Sequence, residues 1–237
     1  MFFGCEEVCL SFGGRRILDG VNCSAEPGRI TGLVGPNGAG KTSLFEVMCG
    51  RYTPEEGRVT LEGEDITRWP FHVRARAGLA RTFQSPVVPS TLTVGETFRA
   101  ARKSHRPYLS RHDAEWAARL VHLQVSWDTP AAVLGAFDRR KLLLACLVMR
   151  RPRVLLMDEP ASGLINAEID ELDLIMRRPV DEYAMAVILI EHRLELLAAV
   201  ADDCVVLDLG KVIATGDPLT VFDNPRVREA YFETVDA

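Results

Sequence analysis

The sequence predicts an α/β fold with a parallel sheet core, a small antiparallel β subdomain and a helical subdomain. Three observations support this prediction. Short apolar runs alternate with helical patterns, which is typical of a parallel sheet covered by helices. Two other segments have the signals of exposed antiparallel strands. A middle segment is rich in alanine and arginine and mainly helical in pattern.

Three apolar runs predict the strands of the parallel core, and each leads into a recognisable segment. The run ITGLVG at 30–35 precedes a Gly-rich loop and the periodic segment KTSLFEVMCG, for which Gly50 is the predicted C-cap. Further runs, VLLM at 154–157 and VILI at 187–190, end in charged residues. The segment between these two runs predicts a helix, since apolar residues recur at helical spacing: Ile169, Leu172, Ile175 and Met176.

Two segments predict the antiparallel part. GRVTLEGEDI at 57–66 alternates with a period of two residues, and CVVLDLGKVIATG predicts a hairpin that turns near Leu209 and Gly210. We expect both segments to form a small antiparallel sheet beside the parallel one.

The helical pattern from about 90 to 150 is interrupted by Pro107 and Pro130. It predicts a helical subdomain over about 87–150. With 237 residues, the chain is expected to form one domain over 1–237.

Composition excludes several classes of protein. Apolar residues make up 47% and charged residues 26% of the chain, and the net charge is −5, which favours a globular domain over a disordered chain or a nucleic-acid binder. The N-terminus has no secretory signal, and the longest apolar run, from Leu142 to Met149, is too short to span a bilayer. The six cysteines lack metal-ligand spacing. We expect reduced, mostly buried thiols in a cytoplasmic chain with no membrane span and no nucleic-acid partner.

The strongest motif is GPNGAGKT at 35–42, a full match to the phosphate-binding P-loop between a predicted strand and a predicted helix. Its glycines let backbone N–H groups turn toward a phosphate, and the helix dipole favours the anion. Lys41 is expected to reach the β- and γ-phosphates and Thr42 to coordinate Mg²⁺. An ordinary Gly-rich turn is the alternative. The predicted nucleotide-binding residues of this motif are Gly35, Pro36, Asn37, Gly38, Ala39, Gly40, Lys41, Thr42 and Ser43.

The second motif is VLLMDEP at 154–160, an apolar strand that ends in two adjacent carboxylates. Buried strands rarely end this way without a use for the charges. Asp158 is predicted to hold the hydrated Mg²⁺, while Glu159 is predicted to polarise an attacking water. Two solvated carboxylates at a strand end are the alternative.

Three single residues complete the pattern by their order: Phe12 before the P-loop, Gln84 in RTFQS and His192 in VILIEH. Each alone is more often a packing or surface residue. Together with the two motifs, they resemble the ATPase subunits of ABC transporters over almost the whole chain. The resemblance implies a P-loop NTPase fold with a RecA-like parallel sheet. It also implies that Phe12 stacks on adenine, that Gln84 touches Mg²⁺ and senses the γ-phosphate, and that His192 is the switch histidine.

Within that family, FGG, ARTFQ, DEPASGL, LIEHRLELL and NPRVREAYFE look most like the ATPases of branched-chain amino-acid importers, although lipopolysaccharide-export ATPases share part of the pattern. The resemblance implies ATP and Mg²⁺ as cofactors, and Lys41, Glu159 and His192 as catalytic residues. It also implies permease subunits and a second ATPase as partners, on the inner face of the cell membrane. The alternatives are a soluble ABC protein acting on ribosomes or DNA, a nucleotide-binding subunit with little catalysis, and a metabolic P-loop kinase.

The family's signature, LSGGQ, is damaged here. A gap-free alignment from the DEP sequence places at these positions Leu134, Gly135, Ala136, Phe137 and Asp138. In the family, the signature serine and its neighbouring backbone contact the γ-phosphate bound by the opposite subunit. Losing that serine removes a hydrogen bond to a charged group, worth on the order of 1.5–3 kcal/mol.

Two other signature changes are also unfavourable. Phe137 is expected to occupy a place where backbones must come close. Asp138 adds a negative charge that costs roughly 4 kcal/mol at about 4 Å and an effective dielectric of about 20, unless Arg139 or Arg140 relieves it. In the loop after VLLMDEP, outside the signature, Ile165 stands where the family usually has Asp or Asn. These changes predict an asymmetric pair in which this chain supplies the competent ATP site.

Two segments are candidates for partner contacts. SPVVPST at 85–91 is apolar and proline-rich, which favours a docking loop for a permease, together with the helix that follows it. A plain exposed loop is the alternative. The basic stretch RKSHRPYLSRH at 102–112 is interpreted as a solvated face rather than a contact with lipid or permease.

Overall fold

The computed structural model describes residues 1–83 and 87–232, which form two sheets and a set of surrounding helices. The strands are β1 (Phe3–Phe12), β2 (Arg15–Ala25), β3 (Ile30–Val34), β4 (Glu56–Leu61), β5 (Glu64–Asp65), β6 (Leu79–Arg81), β7 (Val154–Asp158), β8 (Ala186–Ile190), β9 (Asp203–Asp208) and β10 (Lys211–Gly216). The helices are α1 (Lys41–Cys49), α2 (Phe71–Arg76), α3 (Val94–Lys103), α4 (Arg111–Leu120), α5 (Ala136–Val148), α6 (Asn166–Tyr183), α7 (Leu194–Val200), α8 (Pro218–Phe222) and α9 (Pro225–Phe232).

The larger sheet has the strand order β10-β9-β3-β8-β7-β6, and all of its neighbours are parallel except the hairpin β9–β10. Its central strands are buried on both faces, as their continuous apolar runs predict. Along β7, Val154 and Leu156 join one hydrophobic cluster, while Leu155 and Met157 join the other. The sheet therefore separates two apolar layers and presents the carboxyl ends of β3, β7 and β8 along one edge.

The smaller sheet is antiparallel, with the order β2-β1-β4-β5, and it differs from the prediction in three ways. The long N-terminal strands β1 and β2 supply half of it. The hairpin β9–β10 joins the larger sheet instead, because β9 is apolar on both faces and pairs in parallel with β3. The run 57–66 is also broken by a turn, in which Glu62 and Gly63 adopt positive φ angles of 51° and 81°.

The helices between β6 and β7 occupy the segment in which a helical pattern was predicted. Helices α3, α4 and α5 pack against one another, and α3 and α4 begin with capping boxes at Thr93 and Ser110. Breaks in the helical pattern occur around Pro107 and Pro130, where α3 and α4 have already ended. Gly50, with φ of 82°, caps the C-terminus of α1, as predicted.

All six cysteines are free and all but Cys146 are buried, as expected from their apolar neighbours. Within the ranges 1–83 and 87–232, the helices lack the combination of length and apolar character that crossing a bilayer requires.

Candidate nucleotide-binding site

The P-loop connects β3 to α1 and depends on glycine at two close approaches. A Cβ atom on Gly35 would lie 2.0 Å from the carbonyl oxygen of Leu207, and one on Gly40 would lie 2.9 Å from Cδ2 of Leu18. Gly40 also has a φ of 106° and is the N-cap of α1. No side chain caps this helix end. The first N–H groups of α1 therefore have no partner within the helix and suit an anion.

The rest of the loop is arranged around that helix end. Asn37 and Gly38 are exposed at the tip, Ala39 is buried beneath it, and Thr42 is exposed in the first turn of α1. Two further predicted residues, Pro36 and Ser43, are half-buried. An exposed tip over a buried base leaves the loop open to a polyphosphate.

Lys41 lies inside the loop, where its side-chain nitrogen Nζ donates hydrogen bonds to the carbonyl oxygens of Gly35, at 2.6 Å, and Pro36, at 2.9 Å. Burial lowers the pKa of Lys41, and the carboxylates of Glu159 and Asp158 oppose that shift. The ammonium thus shares one electrostatic environment with both carboxylates of the second motif, although Lys41 precedes them by more than one hundred positions in sequence.

Asp158 ends β7 and is buried. Its backbone N–H donates to the Thr82 hydroxyl at 3.1 Å, and its Oδ2 atom lies 3.4 Å from Nη2 of Arg81. Burial raises the pKa of Asp158, an effect that Arg81 opposes. Mg²⁺ in proteins is commonly held by one or two carboxylates together with phosphate oxygens and waters. The carboxylate of Asp158 and the hydroxyl of Thr42 are hard oxygen donors that fit this ion.

Glu159 follows in a left-handed conformation, with φ of 47°. Such a backbone is costly for a non-glycine residue and is frequent at functional sites. Its N–H donates to the carbonyl oxygen of Ile190 at 2.9 Å, and its Oε1 atom lies 3.0 Å from Nε2 of His192. The carboxylate and the imidazole predicted from separate motifs are therefore direct neighbours.

Phe12 lies at the end of β1 with its ring 44% exposed, and it packs edge to face against Tyr52 with ring centroids 5.1 Å apart. The exposed ring is available for stacking. Phe12 belongs to the hairpin β1–β2, which packs against the P-loop. The carbonyl oxygen of Ile17 on β2 would lie 3.0 Å from a Cβ atom on Gly40. Gln84, the predicted γ-phosphate sensor, lies outside the described residues, as do Ser85 and Pro86 of the predicted docking loop.

Sequence reasoning missed a clamp that holds the loop of residues 159–162, which follows β7. Nη1 of Arg140 donates to the carbonyl oxygen of Pro160, and Nη2 donates to that of Ser162 at 2.9 Å. On the other side, the buried carboxylate of Glu191 accepts hydrogen bonds from the N–H groups of Ala161, at 3.3 Å, and His192, at 3.0 Å. Glu191 had the same signal as Asp158, a carboxylate at the end of an apolar strand. Arg140 had no signal that separated it from its neighbours.

The segment aligned with the family's signature, residues 134–138, lies at the start of α5. Gly135 is its exposed N-cap, and a Cβ atom at that position would meet nothing within 4 Å. Contrary to expectation, the ring of Phe137 turns into the protein, 7% exposed, with Nζ of Lys141 4.3 Å from its centroid. The helix phase places this position on the inner face.

The two arginines that follow the signature do not relieve Asp138 by direct hydrogen bonds. Arg139 donates to the carbonyl oxygen of Ala132 at 2.7 Å, and Arg140 donates to carbonyl oxygens of the loop 159–162. Asp138 remains in the first turn of α5.

Comparison with known proteins identifies the family. Residues 18–162 match the ABC transporter family, and residues 211–232 match the branched-chain amino acid ATP-binding cassette transporter family. The chain is similar to two high-affinity branched-chain amino acid transport ATP-binding proteins. BraF of Pseudomonas aeruginosa is 35% identical and LivG of Escherichia coli is 31% identical, each match covering 94% of both chains.

Other similarities place the same fold in a wider group. The lipopolysaccharide export system ATP-binding protein LptB of Acidithiobacillus ferridurans is 30% identical over 93% of this chain and 92% of that protein. A solved nucleotide-free ATP-binding cassette from an ABC transporter has a TM-score of 0.87 and 26% identity, covering 97% of this chain and 98% of its own. The predicted fold, a P-loop core with a small antiparallel subdomain, is confirmed. The chain belongs to the ABC transporter family, as one of the ATP-binding subunits whose ATPase activity powers transport.

Proposed function

We propose that this chain binds MgATP and hydrolyses it to power a branched-chain amino-acid importer. The proposal of ATP hydrolysis is supported above all by the contact between Glu159 and His192, at 3.0 Å. Glu159 also lies in the same electrostatic environment as Lys41. A carboxylate, an imidazole and a phosphate-binding ammonium at one sheet edge are the groups that hydrolysis of a polyphosphate needs.

Each residue has a distinct role in this proposal. The P-loop N–H groups and Lys41 hold the phosphates, and Phe12 stacks on the adenine. Glu159 orients the attacking water and accepts its proton, while His192 holds the Glu159 carboxylate in place through their hydrogen bond. Thr42, Asp158 and Gln84 would hold Mg²⁺, which would neutralise phosphate charge when bound.

We further propose that the chain works in an asymmetric pair with a different ATPase. The exposed start of α5 offers no serine hydroxyl at Gly135 and carries Asp138 in its first turn. Both features weaken its interaction with a phosphate bound by the opposite subunit. The residues of this chain's own ATP site have no comparable change. This chain would therefore cleave ATP but complete its partner's site poorly.

The cargo and the direction of transport rest on the relatives. The names of the similar proteins BraF and LivG specify branched-chain amino acid transport, and the C-terminal match at 211–232 has the same association. Similarity to LptB keeps lipopolysaccharide export as the second candidate. Reconstitution with the permeases encoded beside the gene, followed by uptake of labelled leucine, distinguishes the two.

The surface proposed to meet the permease lies beside the catalytic residues. Val87 is 80% exposed, and a cavity of about 360 Å³ is lined by apolar residues of α5 and by Phe83, and reaches Asp158 and Glu159. We assign α3, α4 and α5 to a helical subdomain that carries one wall of this cavity. Docking here would place the chain on the cytoplasmic face of the membrane, with motions of the ATP site coupled to the permease.

Equilibrium binding and turnover of the purified chain test the proposal. We expect the isolated chain to bind ATP with a dissociation constant of roughly 1 μM to 1 mM, the range of typical KM values of enzymes. We also expect it to hydrolyse ATP very slowly. Lys41→Ala should remove most binding. Rapid turnover by the isolated homodimer would contradict the asymmetric pair, and absence of ATP binding would contradict the whole proposal.

A further inference from the structure

The buried arginine at the end of β6 has no role in the site described so far. The side chain of Arg81 is only 2% exposed, although it carries a full charge. Arginine is rarely buried without paired charges, because desolvation of the guanidinium is costly. The contacts that compensate this cost therefore indicate its role.

Those contacts come from two different elements. Nη1 of Arg81 lies 3.0 Å from Oε1 of Glu46 and 3.2 Å from Sγ of Cys49, both on the P-loop helix α1. Nη2 lies 3.4 Å from Oδ2 of Asp158 at the end of β7. One guanidinium thus links the helix that holds the phosphates to the carboxylate proposed to hold Mg²⁺.

Aromatic rings fix the guanidinium in this position. The ring centroid of Phe45, on α1, is 5.6 Å from Cζ of Arg81, and that of Phe83 is 5.2 Å away. The neighbouring Thr82 accepts the backbone N–H of Asp158. Residues 81 and 82 therefore hold one carboxylate oxygen and the backbone of Asp158 at the same time.

From this geometry we infer that Arg81 is a positioning residue that orients the Asp158 carboxylate for Mg²⁺ and ties it to the P-loop helix. A planar fork with two amino groups reaches Glu46 and Asp158 simultaneously, which a lysine ammonium does less well. The segment that leads to Gln84 begins directly after Arg81. The contact of the Arg81 guanidinium with the ring of Phe83 anchors the start of that segment. The inference rests on the proposed metal role of Asp158.

Binding of Mn²⁺ to the ADP-loaded full chain, measured by electron paramagnetic resonance, tests this role without relying on turnover. Arg81→Met should weaken Mn²⁺ affinity about tenfold or more, as loss of an outer-shell partner typically does, while ADP affinity in EDTA stays within about twofold. Arg81→Lys should recover part of the affinity. Arg150→Met is the control, since Arg150 donates to the carbonyl oxygen of Ala75 away from the nucleotide.

Arg81→Met leaves the buried carboxylate of Asp158 and the half-buried carboxylate of Glu46 without their shared cation, so the same measurement is made on Arg81→Met combined with Glu46→Gln. This pair removes one charge of each sign, and melting curves report its folding. We expect it to bind Mn²⁺ as weakly as Arg81→Met. If wild type shows no ADP-dependent Mn²⁺ binding, the proposed metal site fails. If wild type binds Mn²⁺ and the folded variants, including Arg81→Lys, bind it equally well, the Arg81 inference alone is overturned.

Discussion

The Nε2 atom of His192 lies 3.0 Å from Oε1 of Glu159. This contact joins the end of β7 to the loop after β8, and Glu159 takes a left-handed backbone conformation there. The two residues are 33 positions apart in sequence. Neighbouring parallel strands bring them together, since β7 and β8 pair directly, with Asp158 opposite Ile190.

Removing the imidazole tests whether this contact serves catalysis. His192→Ala should reduce ATP turnover of the assembled transporter by about 100-fold, the lower end of what proton transfer to a well-positioned Glu159 contributes, because Glu159 loses the contact that holds it, with little change in ATP affinity. The measurement is steady-state phosphate release beside equilibrium nucleotide binding. His72→Ala, at an exposed position on α2, is the matched control. Equal turnover in both variants would exclude a catalytic role for His192.

The clamp on the loop 159–162 predicts different effects of substituting two adjacent arginines. Arg140→Met removes hydrogen bonds to the carbonyl oxygens of Pro160 and Ser162, so Glu159 should be held less firmly and turnover should fall severalfold. Arg139→Met removes a single bond to the carbonyl oxygen of Ala132 and should leave turnover unchanged. If both variants lose turnover equally, the effect comes from α5 as a whole and not from the clamp.

The degenerate signature predicts a gain of function on repair. Gly135→Ser meets no atom within 4 Å, so serine fits there and can also cap α5, which adds a few tenths of a kcal/mol of stability. Combined with Asp138→Gln, it should raise ATP turnover of the homodimer. Phe137 is left unchanged, because its buried ring contributes to the core. Turnover no higher than that of the unmodified chain would show that the signature does not limit the homodimer.

A half-buried carboxylate on α6 predicts a pH dependence of stability. Burial and the neighbouring Asp170 raise the pKa of Asp173 to about 6, against an ordinary value of 3.8. Its Oδ1 atom has no hydrogen-bond partner among the residues that the structure describes. Because the folded state binds the proton more tightly than the unfolded state, this group destabilises the fold above pH 6, and the penalty disappears as the pH falls toward 4.

Asp173→Asn should therefore stabilise the chain at pH 7.5 by about 1 kcal/mol after allowance for solvent screening, or about 2–4 °C in melting temperature. The gain should shrink when melting is measured at pH 5. Asp128→Asn, at an exposed position, is the control and should show neither effect. A gain of the same size at both pH values would contradict the assignment of a raised pKa to Asp173.

The local motifs were predictable because each lies in consecutive residues. VLLMDEP contains both a strand and the charged groups that follow it, and GPNGAGKT directly follows the apolar run at 30–34, so Lys41 and Asp158 could be placed without tertiary information. Which sheet β9 joins could not be predicted from consecutive residues, since its partner β3 is more than 160 positions earlier in the chain. The role of Arg81 was equally hidden, because its contacts with Glu46 and Asp158 exist only in the folded structure.

Phe137 shows a different limit of sequence reasoning. Alignment placed it in a motif whose residues are exposed at a subunit contact, but the phase of α5 turns its ring inward. The exposed positions are Gly135 and Ala136. The loss of the serine and the gain of Asp138 therefore support the proposed asymmetric pair, and the size of Phe137 does not.

We propose that this chain supplies the hydrolytic half of an asymmetric ATPase pair. The most direct measurement is ATP turnover of the assembled transporter with Glu159→Gln in this chain, beside the equivalent substitution in the partner ATPase. Glutamine keeps the size of the side chain but accepts protons poorly, so turnover should fall to a few per cent when this chain is changed and should largely persist when the partner is changed. Full turnover with Glu159→Gln would contradict the claim.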